Sequence, residues 1–136
     1  MNKSYVTVLT PDTVKEMMQH ILDHEVIAVD TETTSLNPRK GKIVGWSISG
    51  AEGVGYYLPT LLYNKDTDKL EEAKIGGKCA HNISKILLNR LWMGNKKLVM
   101  HNASFDCRYI KNYFGIDLLP HLWVETQLLV HTVQEE

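Results

Sequence analysis

Segments with the pattern of buried strands alternate along this chain with segments that have the apolar periodicity of helices. Residues 26–30 (VIAVD) form a continuous apolar run, which is typical of a strand covered on both faces. A β-branched strand is predicted earlier, at residues 5–9, and Thr10 followed by Pro11 predicts the start of a helix. The apolar positions of that helix have the spacing of one buried face: Val14, Met17, Met18, Ile21 and Leu22.

The rest of the chain continues this alternation. The sequence Gly50-Ala51-Glu52-Gly53 has turn chemistry, so the strands on either side of it are predicted to form a hairpin. In chain order, the other predicted segments are strands at residues 42–49 and 54–59, a surface loop at 64–72, a helix at 79–92, a strand at 97–100, a helix at 103–114, a short extended piece ending near 124 and a helix at 125–133. We therefore expect a single α/β domain, residues 1–136, with a mixed sheet of about five strands flanked by helices.

The composition excludes several classes of protein. A formal net charge of -1 is unlike that of a protein that binds nucleic acid by charge alone. No apolar run approaches the ~18 residues of a membrane span, and the first ten residues do not resemble a signal peptide. We therefore expect a cytoplasmic protein without a membrane partner. Its two cysteines, Cys79 and Cys107, do not form a disulfide framework.

Three acidic residues are candidates for catalysis. Asp30 ends the strand at residues 26–30, and Glu32 follows at a spacing that puts both side chains on one side of an extended chain. Asp106 lies one turn into a helix, and it would face this pair if the strand at residues 97–100 lies beside the first one. Converging carboxylates repel one another unless a cation neutralises them, and Mg²⁺ or Mn²⁺ suits a site made of oxygen ligands. The spacing alone is weak evidence, because an Asp at a strand end is often only a turn or helix cap.

Two motifs carry a resemblance to a known family. After the apolar strand, Asp30-Thr31-Glu32-Thr33-Thr34-Ser35-Leu36 resembles the first motif of the DEDD (DnaQ-like) 3′–5′ exonucleases, above all the proofreading domain of family A (DNA polymerase I-like) DNA polymerases. His101-Asn102-Ala103-Ser104-Phe105-Asp106 resembles the second motif, N-x-x-F/Y-D. Residues 45–49 and 56–59 resemble the family's hairpin, and residues 126–129 resemble its following helix. The resemblance covers nearly the whole chain in the same order.

The resemblance implies a ribonuclease H-like fold that binds two Mg²⁺ or Mn²⁺ ions. By this resemblance, Asp30 would bridge both ions, Glu32 would complete one of them and Asp106 would hold the second. The residues implied to bind substrate are Thr33, Leu36, Asn102 and Phe105, with Leu36 against the terminal base. The implied activity is metal-dependent removal of 3′-terminal nucleotides from a single-stranded or frayed 3′ end of DNA, next to a polymerase domain in the same parent chain.

One motif of the family is not found. The third motif, Y-x-x-x-D or H-x-x-x-x-D, does not occur after Asp106, so we expect the chain to be a fragment of a longer polymerase that is by itself a weak or inactive exonuclease. Two alternatives to an exonuclease remain open. One is a non-catalytic ribonuclease H-like module that binds nucleic acid or a polymerase, and the other is an interaction module with unused carboxylates. The sequence does not distinguish DNA from RNA as the preferred substrate.

The remaining candidate residues are interpreted as structural. His20 and His24 have a spacing that occurs in zinc sites, but no third ligand is evident, so a solvated helix edge is predicted. Trp46, Trp92 and Trp123 are expected in the core.

Overall fold

The computed structural model describes residues 3–126 of the chain. The helices are α1 (Pro11–Asp23), α2 (Ala80–Met93) and α3 (Ala103–Phe114), and a 3-10 turn covers Leu119–His121. The strands are β1 (Ser4–Thr7), β2 (Val26–Thr33), β3 (Ile43–Ala51), β4 (Val54–Pro59), β5 (Leu61–Asn64), β6 (Lys69–Glu72), β7 (Lys74–Ile75), β8 (Lys78–Cys79), β9 (Lys97–Met100) and β10 (Leu122–Glu125).

Six of these strands form the main sheet, in the order β1-β4-β3-β2-β9-β10. The pairs β2–β3 and β3–β4 are antiparallel, whereas β1–β4, β2–β9 and β9–β10 are parallel. This confirms the predicted α/β class, the mixed sheet and the hairpin, with six strands instead of about five. The pairing of β9 with β2 also confirms the neighbour relationship on which the position of Asp106 depends.

Only one face of β2 is buried among the described residues. Ile27, Val29 and Thr31 point into a core that residues of all three helices help to form, whereas Ala28, Asp30 and Glu32 are exposed on the other face. The prediction of a strand covered on both faces is therefore wrong for residues 3–126. From Ala28 onward, exposed small or acidic side chains alternate with the buried, β-branched Val29 and Thr31, as in a half-buried strand.

Helix α1 begins as predicted, because the Thr10 hydroxyl accepts a hydrogen bond of 3.1 Å from the Thr13 amide. Its buried face is shifted from the predicted one: Leu22 is 65% exposed, and His20 is buried. The imidazole is tolerated inside because its Nε2 accepts a hydrogen bond of 2.8 Å from the Gly50 amide. The prediction of a solvated helix edge is thus wrong for His20, whose pKa is lowered by burial and then by the neighbouring His24.

Two further predictions are corrected. The segment predicted as a loop at residues 64–72 ends in β6, which pairs with β5 in an antiparallel hairpin. All four residues of β6 are exposed, so no alternation of apolar and polar positions marked it as a strand. Trp46 is fully buried as expected, but Trp92 and Trp123 are 39% and 57% exposed.

The last predicted segments lie at the limit of the described residues. Glu125, where a helix was predicted to begin, is the last residue of β10. Residues 127–133, which complete the predicted last helix, lie outside the described residues. Within residues 3–126, no helix is both long enough and apolar enough to cross a membrane.

Candidate active site

The parallel pairing of β2 and β9 brings the two acidic motifs together. Ile27 lies opposite Leu98 and Ala28 opposite Val99, so both strands approach the same edge of the sheet with their carboxyl ends. Asp30 and Glu32 lie in the last part of β2. Helix α3 begins three residues after β9, and Asp106 lies in its first turn.

Asp106 is a buried carboxylate at this edge of the sheet. It is only 2% exposed, and its Oδ1 accepts a hydrogen bond of 2.6 Å from the Thr31 hydroxyl. Its Oδ2 is buried and has no hydrogen-bond partner among the described residues. Burial raises the pKa of Asp106 to about 7; the bond from Thr31 lowers this pKa, and the charge of Asp30 raises it. An unsatisfied buried carboxylate oxygen costs stability unless a proton or a cation joins it, so Oδ2 of Asp106 is an oxygen at which one cation could take the place of the proton.

Asp30 lies beside Asp106 but is exposed. Its Oδ1 accepts a hydrogen bond of 3.1 Å from the Thr31 amide. Thr31 therefore contacts both carboxylates, one through its backbone and the other through its side chain. The structure thus brings Asp30 and Asp106 together as the sequence predicts.

Glu32 has a different neighbour. It lies opposite Gly45 of β3, where a Cβ atom would collide with the ring of Tyr57. Tyr57 therefore lies over Gly45 on the side of Glu32, and its pKa is raised by burial and then by the charge of Glu32. Within residues 3–126, no three His, Cys, Asp or Glu side chains form a group that could hold a metal, so Glu32 does not join the other two acids in one cluster.

The expected substrate residues lie on the two segments that flank this edge. Leu36 is 86% exposed in the loop between β2 and β3, and Thr33, before that loop, donates a hydrogen bond of 3.2 Å to the Ser35 carbonyl. Asn102 is the N-cap of α3, where its side chain makes no capping bond. Phe105 is half-buried in the first turn of α3.

A groove of about 600 Å³ extends from Asp30 across the exposed face of the sheet. Tyr57 and His101 are among the residues that line it, and the sheet forms its floor.

Sequence reasoning missed three residues of this region: Thr31, Tyr57 and Tyr109. The contact of Thr31 with Asp106 could have been expected, because alternation along β2 turns Thr31 toward the side on which α3 packs. The position of Tyr57 depends on the register of two strand pairs. Tyr109 follows Phe105 by one helical turn, and their ring centroids are 5.2 Å apart.

Comparison with known proteins identifies the family. A family model described as 3′–5′ exonuclease matches residues 5–131. The chain belongs to the 3′–5′ exonuclease family of DNA polymerase I-like enzymes. It is 31% identical over 113 residues to DNA polymerase I of Borreliella burgdorferi and 29% identical over 114 residues to the DNA polymerase of Escherichia phage T5. Each match covers 82% of this chain, but only 11% and 12% of the respective polymerase.

Solved structures extend the comparison to the fold. The structure of Escherichia coli RNase D, described as an exoribonuclease, superposes with a TM-score of 0.57 at 19% identity. The match covers 96% of this chain and 28% of RNase D. At this identity the likeness shows the fold alone. The predicted ribonuclease H-like α/β fold and the predicted family are both confirmed.

Proposed function

We propose that this chain removes 3′-terminal nucleotides from single-stranded or frayed DNA ends by two-metal phosphodiester hydrolysis. The observation that carries the proposal is the buried Asp106 carboxylate, with its Oδ2 unsatisfied, beside Asp30 in a chain of the 3′–5′ exonuclease family. We also propose that residues 1–136 form one domain of a longer, cytoplasmic DNA polymerase, since the matched polymerases are about eight to nine times as long as the matched segment.

The proposed roles follow from the positions of the side chains. Asp30 and Asp106 would hold Mg²⁺ or Mn²⁺, and Glu32 would contribute from the same face as Asp30. Bound ions of this kind neutralise charge on the scissile phosphate and lower the pKa of a water. Thr31 keeps Asp106 in one orientation through its hydroxyl.

The substrate roles rest on the two segments beside the carboxylates. The exposed side chain of Leu36 and the half-buried ring of Phe105 offer apolar surface to unpaired bases. Thr33 and Asn102 offer polar groups next to them.

The second candidate is a non-catalytic module that binds nucleic acid or a polymerase. It is favoured by the position of Glu32, which lies beside Tyr57 and outside a three-ligand group within the described part of the chain.

Titration calorimetry with Mn²⁺ tests the metal site. We expect Asp30→Ala to remove binding most completely, because Asp30 would be shared between both ions. Asp66→Ala is the matched control, since Asp66 is an exposed carboxylate in the β5–β6 turn. Equal Mn²⁺ affinity of the wild type and Asp30→Ala would exclude the proposed metal site.

A 5′-labelled single-stranded oligonucleotide with Mn²⁺ tests the reaction. We expect products that shorten from the 3′ end, slower cleavage of blunt duplex, and no cleavage when the 3′ end carries a phosphate. Degradation from the 5′ end would contradict the proposal. Binding without cleavage would favour the non-catalytic module, and an RNA of the same sequence measures the choice between DNA and RNA.

A further inference from the structure

The Tyr109 side chain of α3 is hydrogen-bonded to the loop that carries Leu36. Tyr109 is fully buried, and its hydroxyl donates a hydrogen bond to the Ser35 carbonyl. The same hydroxyl lies 3.2 Å from the Asn37 carbonyl. The two carbonyls belong to the residues immediately before and after Leu36, so one phenol group contacts the backbone on both sides of the exposed leucine.

Gly41, at the far end of the loop, leaves the space that the Tyr109 hydroxyl occupies. Gly41 passes so close that a Cβ atom there would collide with the Tyr109 hydroxyl and would lie 3.0 Å from the Ser35 Cβ. The Gly41 amide donates a hydrogen bond of 2.9 Å to the Asn37 carbonyl, the second acceptor of Tyr109. The far end of the loop therefore closes around the same hydroxyl.

Tyr109 contacts Phe105 and the two residues that flank Leu36. Its ring lies against Phe105, with the centroids 5.2 Å apart, and its hydroxyl holds the loop of Leu36. Asp106 lies on the same helix between Phe105 and Tyr109. Helix α3 thus carries Asp106 and Phe105 itself, and it positions the loop of Leu36 through Tyr109.

We propose that Tyr109 is a positioning residue for the 3′-terminal nucleotide, because its hydroxyl fixes the backbone on both sides of Leu36 while its ring packs against Phe105, the residue before Asp106. This inference rests on the proposed function, in which Leu36 contacts the terminal base. A preformed loop binds more tightly than a loose one, because less conformational entropy is lost on binding.

The test compares Tyr109→Phe with Tyr56→Phe. The first removes the hydroxyl beneath the loop and keeps the ring in the core. The second also removes one tyrosine hydroxyl, which donates to Glu16 of α1 at 3.1 Å. Binding of a 5′-labelled single-stranded DNA is followed by fluorescence anisotropy with Ca²⁺ in place of Mg²⁺, so that cleavage does not interfere.

We expect Tyr109→Phe to weaken binding about threefold to tenfold, the range for losing one or two hydrogen bonds, and Tyr56→Phe to leave it unchanged. In a Leu36→Ala background, the same Tyr109→Phe change is expected to have less than about a twofold effect, since the leucine that it positions is gone. Equal effects of the two Phe variants, or a full effect without Leu36, would overturn the proposal and leave the proposed function intact.

Amide hydrogen exchange separates the two proposals. Tyr109→Phe is expected to speed exchange of the Gly41 amide, whether or not the chain binds DNA, while exchange in α3 stays unchanged. If the wild type does not bind the oligonucleotide, the proposed function fails, and with it the role of Tyr109 toward a nucleotide. Faster exchange at Gly41 would then show that Tyr109 still orders the loop.

Discussion

The Thr31 hydroxyl donates a hydrogen bond of 2.6 Å to Oδ1 of Asp106, which lies 75 residues later in the chain. This bond joins the end of β2 to the first turn of α3 inside the protein. It satisfies one carboxylate oxygen and leaves Oδ2, the oxygen without a partner in the described structure, as the one available to a cation. The bond from Thr31 therefore determines which oxygen of Asp106 is left for a cation.

Replacing Thr31 by valine should weaken metal binding. Valine keeps the shape of threonine but donates no hydrogen bond, so Asp106 loses both its orientation and a contact that lowers its pKa. Loss of a group that orients a metal ligand commonly lowers metal affinity about 10–100-fold. Calorimetric titration with Mn²⁺ measures the change.

Thr60→Val is the control for this substitution. Thr60 is equally buried, and its hydroxyl donates to the Ile43 carbonyl at 2.5 Å. We expect it to lower stability without changing Mn²⁺ affinity. The assignment to Thr31 fails if both valine variants lose affinity equally.

Asp106 should make the metal-free chain less stable as the pH rises. Its pKa is raised from 3.8 to about 7 in the folded state, mainly by burial. Between these values the unfolded chain releases the proton that the folded chain retains, so the free energy of unfolding falls through this window and levels off above it. At about 1.4 kcal/mol per unit of pKa shift, the fall amounts to about 4 kcal/mol.

Asp106→Asn should abolish that fall. With a chelator at pH 8, we expect this variant to unfold at a higher temperature than the wild type, and Mg²⁺ to narrow the difference by stabilising the wild type only. Asp66→Asn, on the exposed turn, should behave like the wild type. A wild type whose stability is constant from pH 4 to pH 8 would refute the buried-carboxylate interpretation.

The sequence was sufficient to predict the elements around the two acidic motifs, because each is marked by an apolar run or a helical period. Asp30 and Asp106 could be placed together since parallel strands end at the same edge of a sheet. The neighbour of Glu32 could not be predicted. Tyr57 lies beside Glu32 because of the register of β4 on β3 and of β3 on β2, and local sequence patterns do not encode these registers. The burial of His20 likewise depends on a distant backbone amide.

The buried bond between Trp46 and Ser84 should contribute to stability. The indole Nε1 of Trp46 donates to the Ser84 hydroxyl at 2.9 Å, and both side chains are fully buried. Ser84→Ala leaves the indole N–H unpaired, which should lower the free energy of unfolding by about 1–3 kcal/mol. Urea denaturation followed by tryptophan fluorescence measures it, with Lys85→Ala, at an exposed position of the same helix, as the control.

Tyr57 should report the charge of Glu32. Its pKa is raised first by burial and then by the Glu32 carboxylate, so Glu32→Gln should lower that pKa while leaving the effect of burial. The titration can be followed by NMR of tyrosine labelled with ¹³C at the ring carbon that bears the hydroxyl. Glu25→Gln is the control, because Glu25 lies at the opposite end of β2 and pairs with Lys97 at 3.4 Å.

The same signal tests whether Glu32 binds metal. A divalent cation on Glu32 would neutralise the charge that raises the pKa of Tyr57, so Ca²⁺, which stays in solution at the pH of this titration, should lower this pKa in the wild type. In Glu32→Gln the carboxylate is already absent, and Ca²⁺ should then shift the pKa of Tyr57 much less. If calorimetry shows that Ca²⁺ binds the wild type, yet the pKa of Tyr57 does not move, Glu32 is not a ligand. The metal would then be held by Asp30 and Asp106 without it.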